Sequence, residues 1–228
     1  MRARLRGVLV AGTDTNVGKT FVASAICGIL RRHGIPVVGL KPFETGCRPN
    51  PEDALALERE AQSGLPIDLR CPVRYRAPLA PAVAAESEGL RGTLEDALKT
   101  IALASVGRVA VVEAAGGLLV PLDGRHTNLD LAAALRLPVI VVGRNALGTL
   151  NHLALSVQAL RRRRVSVAAL VLSRGASPAD PSQASNARWA RKLTDVPLVL
   201  ALKRTSPMRA RVALEPLFQQ PPLAQLLR

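Results

Sequence analysis

The sequence has 228 residues, 48% of them apolar, and its 31 Lys and Arg against 17 Asp and Glu give a formal net charge of +14. That is enough apolar material for one substantial core, so a single domain spanning 1–228 is expected, and no apolar run approaches the roughly 18 residues of a helical membrane span, so no membrane partner is expected. The charge suits an anionic ligand, a nucleic acid, or simply solvated arginine at helix ends, but one Trp, one Tyr and three Phe supply no stacking platform for single strands, and nucleic acid is not expected as a partner.

Residues 7–11 are a continuous apolar run, the mark of a strand buried on both faces. The basic start at 1–6 does not open a secretory leader, because Asp14 interrupts the apolar stretch too early, and a cytoplasmic location is expected. Gly12-Thr13-Asp14-Thr15-Asn16-Val17-Gly18-Lys19-Thr20 follows. Apolar residues then recur at helical spacing over 21–32, and Arg31, Arg32, His33 and Gly34 close that helix. Strand, loop and helix in this order are the context of a phosphate-binding loop, G-x-x-x-x-G-K-[ST]. In it, amides at a helix N-terminus cradle phosphates, the lysine neutralises charge and the hydroxyl reaches Mg²⁺. Here Thr13 stands at the first glycine and Gly12 lies one place earlier, while Gly18-Lys19-Thr20 keep their positions. The bland alternative, a glycine turn with a solvated lysine, does not account for the elements on both sides.

A second strand at 36–40 is followed by Lys41-Pro42-Phe43-Glu44-Thr45-Gly46. A helix over 51–63 carries Glu52 and Asp53 in its first turn, where the macrodipole favours anions, and Gly64 ends it. The proline-rich stretch 65–92 shows little periodicity. Thr93 caps a helix to 104, with Asp96 three residues on. A buried strand over 109–112 ends at Glu113, and Ala114-Ala115-Gly116-Gly117 follow it. Then come a short helix (128–135), a strand (138–142), a helix from 150 to 163, a strand (165–172), a helix (181–193) and a strand (197–200). Strands alternating with helices, each strand nearly all apolar, predict an α/β fold with a mostly parallel sheet covered by helices on both faces. Ligands in such sheets bind outside the carboxyl ends of the strands. Gly148-Thr149-Leu150-Asn151 opens a helix whose free amides suit a carboxylate, although Thr149 also suits plain capping; His152 reads as packing rather than as a general base. Cys27, Cys47 and Cys71 lack zinc spacing and read as reduced thiols.

The loop 12–20, Lys41 to Gly46, Asp53-Ala54-Leu55-Ala56-Leu57, Val111 to Gly117 and Gly148 to His152 resemble, in this order, the motifs of dethiobiotin synthetases. The resemblance covers about 8–172. It implies a P-loop NTPase domain and an ATP-dependent cyclo-ligase of biotin biosynthesis. In that reaction 7,8-diaminononanoate and CO₂ give a carbamate, ATP phosphorylates it, and the second amine closes the ureido ring with loss of phosphate. It further implies that ATP is held by Gly12, Thr13, Asp14, Thr15, Asn16, Val17, Gly18, Lys19 and Thr20 with Glu113, Gly116, Gly117 and Ser173, and that Mg²⁺ sits on Thr20, Asp53 and Glu113. Lys19, Lys41, Thr15 and Thr45 would act on the carbamate and the transferring phosphoryl group, a chemistry that asks mostly for positioning and charge neutralisation. Thr45 with Gly148, Thr149, Leu150 and Asn151 would receive the substrate, the helix end coming from the second subunit of a homodimer.

The chain departs from the family pattern in three places. Ala114 replaces a glycine, Ser173-Arg174 replaces an asparagine that reads the base, and Ala201-Leu202-Lys203-Arg204 replaces a Gly-x-[Ile/Leu]-Pro segment. Asparagine pairs bidentately with adenine whereas serine offers one hydroxyl and arginine only donors, so weak adenine selectivity is expected. The alternative reading is a nucleotide-switch ATPase of the partitioning or cell-division type, binding DNA or membrane through basic surface. Such loops carry an extra lysine near their start, where Thr13-Asp14 stands here, and 209–228 shows no amphipathic membrane tail. An amide-forming relative acting on cobyrinate would require a glutaminase domain for which 228 residues leave no room.

Overall fold

The computed structural model describes residues 5–174, 180–203 and 205–227. In chain order its elements are β1 (Gly7–Gly12), α1 (Lys19–Arg32), β2 (Val37–Leu40), β3 (Phe43–Thr45), α2 (Glu52–Ala61), α3 (Ile67–Arg70), β4 (Val73–Tyr75), α4 (Pro81–Glu88) and α5 (Leu94–Ala104). They continue with β5 (Val109–Gly117), α6 (Asn128–Leu135), β6 (Val139–Arg144), α7 (Thr149–Arg162), β7 (Val167–Ser173), α8 (Gln183–Thr194), β8 (Val199–Leu202) and α9 (Pro207–Leu214), followed by two 3-10 turns. Six strands pair in parallel in the order β2-β5-β1-β6-β7-β8.

The continuous apolar runs follow from burial on both faces. Along β1, Leu9 and Ala11 face one core with Ile101 and Leu153, while Val8 and Val10 face the other with Ile26, Ile29 and Leu57. Such strands have no polar face to alternate. The helices return antiparallel to the strands, so their last turns lie at the end of the sheet away from the strand-end loops. Three of them finish on paired cations: Arg31 and Arg32 on α1, Arg161 and Arg162 on α7, Arg191 and Lys192 on α8. Helix C-termini favour positive charge there. Among the described residues no helix is long and apolar enough to cross a membrane.

Several boundaries differ from expectation. The stretch 65–92, read as nearly featureless, holds α3, β4 and α4, and β4 pairs with β3 in a separate two-stranded parallel sheet. The helix expected to reach 63 ends at Ala61, because Gln62 adopts a left-handed conformation and caps it. β5 does not stop before the glycines; it runs on through Gly116 and Gly117. Near the C-terminus α9 buries Ala210 and Leu214 in the core shared with α1.

Candidate active site

The phosphate loop leaves β1 at Gly12, is tied to β6 by Thr13 N–H donating to Val142 O (2.9 Å), and turns through Asn16 and Gly18, both at positive φ, into α1. A side chain at Gly18 would be strained by its φ of +98° and would bring a Cβ within 2.7 Å of Ser173 Oγ. A Cβ at Gly12 would lie 2.8 Å from Lys19 Cδ. The lysine stem folds back over residue 12, and this close approach accounts for the glycine standing there rather than at 13. Lys19 Nζ donates to Asp14 O (2.7 Å), and the side chain is buried. Burial, aided by the nearby Lys41, draws its pKa down to about 8.

Strand order then assembles the charged cluster. β5 lies between β2 and β1, so Glu113 on β5 is flanked by Lys41, just past β2, and by Thr20, just past the loop after β1. Lys41 Nζ donates to Asp53 Oδ2 (2.7 Å) and Glu113 Oε1 (2.6 Å). Thr20 Oγ1 lies 2.8 Å from Asp53 Oδ1 and 2.9 Å from Glu113 Oε1, with one proton to donate to either. Burial works against the charge on Lys41, but Glu113 and Asp53 outweigh it and raise its pKa. Burial likewise works to raise the Asp53 carboxyl, and Lys41 with the Thr20 hydroxyl holds it below its ordinary value. Glu113 is fully buried, which pushes its carboxyl up against the opposing pull of Lys41.

Two carboxylates and a hydroxyl are hard oxygen donors of the kind Mg²⁺ takes, and Glu113 Oε2 is buried without a hydrogen-bond partner among the described residues. Among those residues no group of three or more His, Cys, Asp or Glu is placed to hold a metal alone. A cation at this corner would therefore complete its shell with phosphate and water.

The tail of β5 lies against the phosphate loop. Gly116 has a φ of +73° and a Cβ there would meet Thr15 Cγ2 at 3.4 Å, while one at Gly117 would meet Thr13 O at 3.2 Å. Asn128, completely buried at the start of α6, holds that tail: its Nδ2 donates to Ala115 O and Gly117 O, and its Oδ1 accepts from Ala115 N–H. Glu44 on β3 is also buried and accepts the amides of Asp53 and Ala54. Sequence reasoning singled out neither residue. The one signal for Glu44 was Pro51, which opens α2 without a side chain able to cap it.

The remaining expected residues are not all brought to the cluster. Asp14 turns back onto the loop, its Oδ1 accepting from Thr15 N–H (2.7 Å), and Val17 is buried beneath it. Thr45 ends β3, with no hydrogen bond to the cluster among the described residues. Gly148, at φ +90°, caps α7 beyond the end of β6, followed by Thr149, Leu150 and an exposed Asn151. Thr149 Oγ1 is buried and unpartnered among the described residues. No hydrogen bond or ion pair joins 148–151 to Lys41 or Thr20 there.

A family model described as an AAA domain matches residues 6–210. Over 193 residues the chain is 49% identical to the ATP-dependent dethiobiotin synthetase BioD of Anaeromyxobacter dehalogenans strain 2CP-C, covering 83% of this chain and 86% of that protein. The chain belongs to the dethiobiotin synthetase family. Dethiobiotin synthetases of more distant source match as well: that of Caulobacter vibrioides strain NA1000 is 38% identical over 78% of this chain and 84% of its own length. That of Bacillus subtilis subsp. natto is 34% identical over 86% of each. Ala114 lies within β5 with its side chain in the core, where the register against β1 shifts between Glu113 and Gly117. Ser173 ends β7 beside Gly18. Arg204, and residues 175–179 after Arg174, lie outside the described residues.

Proposed function

We propose that the protein is an ATP-dependent dethiobiotin synthetase, converting 7,8-diaminononanoate, CO₂ and ATP to dethiobiotin, ADP and phosphate. The observation that carries this reading is the junction of Lys41, Asp53, Glu113 and Thr20 at the mouth of the phosphate loop, in a chain of this family. The loop amides and Lys19 hold the triphosphate. A carbamate oxygen attacks the γ-phosphorus, its bond to ADP breaks, and Lys41 neutralises charge on the carbamate and the moving phosphoryl group. Thr20, Asp53 and Glu113 would hold Mg²⁺, which would supply further charge neutralisation. Thr15 and Thr45 orient the carbamate and phosphate. The second amine then attacks the carbonyl carbon of the mixed anhydride, the carbon–oxygen bond to phosphate breaks, and the ureido ring closes without a protein nucleophile.

In this reading the protein is a homodimer, and Gly148 to Asn151 of one subunit present free helix amides to the carboxylate of the substrate bound in the other. With Ser173 in place of a base-reading asparagine, most nucleotide affinity comes from the triphosphate, and discrimination among nucleotides is weak. The buried, unpaired state of Cys27, Cys47 and Cys71 supports a cytoplasmic setting. Incubation with the diamino acid, ¹³C-bicarbonate, Mg²⁺ and ATP should yield dethiobiotin one mass unit heavier. ATP hydrolysis stimulated by DNA or lipid, with no such product, would favour a nucleotide switch instead.

A further inference from the structure

α2 begins without a cap of its own. Pro51 holds the N-cap position and makes no side-chain bond to the first turn. Two amides of that turn are nevertheless paired, because Glu44 reaches across from β3: Oε1 accepts from Asp53 N–H (2.9 Å) and Oε2 from Ala54 N–H (3.0 Å). Its other close partner is the Cys71 thiol, with Sγ 3.8 Å from Oε2. A carboxylate only 5% exposed is costly to bury unless well paired, and the positive end of a helix dipole repays part of that cost. A serine at position 51 would cap the helix as well. Glu44 adds a fixed direction, since the short segment that presents Lys41 also grips the backbone of Asp53, whose carboxylate meets Lys41 and Thr20.

We propose that Glu44 is a positioning residue for the metal corner: by clamping the amides of Asp53 and Ala54 it holds the Asp53 carboxylate against Thr20 and sets how strongly Mg²⁺ couples to ATP. This rests on the reading of Asp53 as a Mg²⁺ ligand. The test measures the affinity for a non-hydrolysable ATP analogue by calorimetry, once with Mg²⁺ and once with EDTA. The ratio of the two dissociation constants reads the coupling between metal and nucleotide. Glu44→Gln keeps the volume and one acceptor but turns an amide donor toward the second backbone N–H, and it should cut that ratio about tenfold while leaving the affinity in EDTA unchanged. Asp53→Ala is the control and should collapse the ratio. A parental ratio in Glu44→Gln beside a collapsed one in Asp53→Ala overturns the role of Glu44 and leaves Asp53 as ligand, even if the melting temperature falls, since that is the behaviour of a plain helix cap. A parental ratio in Asp53→Ala overturns both. Glu44→Asp, too short to reach both amides, gives the same readout if Glu44→Gln does not fold.

Discussion

Lys19 carries a charge that a bound triphosphate would stabilise. In the free protein, burial and the neighbouring Lys41 hold its pKa at about 8. Phosphate placed against Nζ favours the charged form and drives that value up. Between the two values the complex holds a proton that the free protein has partly lost, so binding takes up a proton. Affinity is fully present below pH 8 and falls as pH rises above it. At about pH 8.5 binding of an ATP analogue should take up a sizeable fraction of a proton. Calorimetry in buffers of different ionisation enthalpy reads it directly. Lys19→Ala should abolish it, and uptake persisting in that variant would assign the proton to another group.

At the scale of elements, the β5 tail depends on one side chain from α6. Asn128→Ala takes this partner from the partly buried backbone groups of Ala115 and Gly117, a loss of about 1–3 kcal/mol at the net worth of a hydrogen bond each. Because that tail lies against Thr13 and Thr15, turnover should fall with stability. A thermal melt that matches the parent would show that water replaces the amide. This dependence leaves no trace in sequence, since a side chain bonding backbone imposes no pattern on its partners. Most strands of the large sheet, by contrast, could be read directly, because burial on both faces removes polar residues from them; β8, expected over 197–200 but found at Val199–Leu202, is partly exposed and was displaced by two residues. Gly18-Lys19-Thr20 could be picked out because a phosphate loop calls for a glycine, a lysine and a hydroxyl at a helix start, and α1 begins at Lys19 after Gly18. Lys41, Asp53 and Glu113 could each be picked out at the start or end of an element, but their meeting follows from the order β2-β5-β1, which the chain order does not contain. In 65–92, β4 with 3 residues and α3 with 4 are too short to show a period, and α4, with 8, is alanine-rich and buries only Pro81 and Ala84, so it has no apolar stripe to read.

At the scale of the whole molecule, a site shared between subunits makes a distinctive demand. On the proposed roles, Lys41→Ala should disable the phosphoryl end of a site, and Asn151→Asp should set a like charge against the substrate carboxylate. If Asn151 serves the neighbour's site, a mixed dimer gathers both defects in one site and leaves the other whole. Equal mixing with free subunit exchange should then recover about a quarter of the parental activity from two inactive preparations, given two-fold symmetry. Light scattering tests for the dimer, and mixed dimers that stay inactive would place both residues in the same subunit's site. The paired cations that end α1, α7 and α8 stand at the opposite end of the sheet from the phosphate loop. Were the molecule tethered by that end to an anionic bead, its strand-end loops would turn outward, and substrates would still reach an enzyme held fast to the surface.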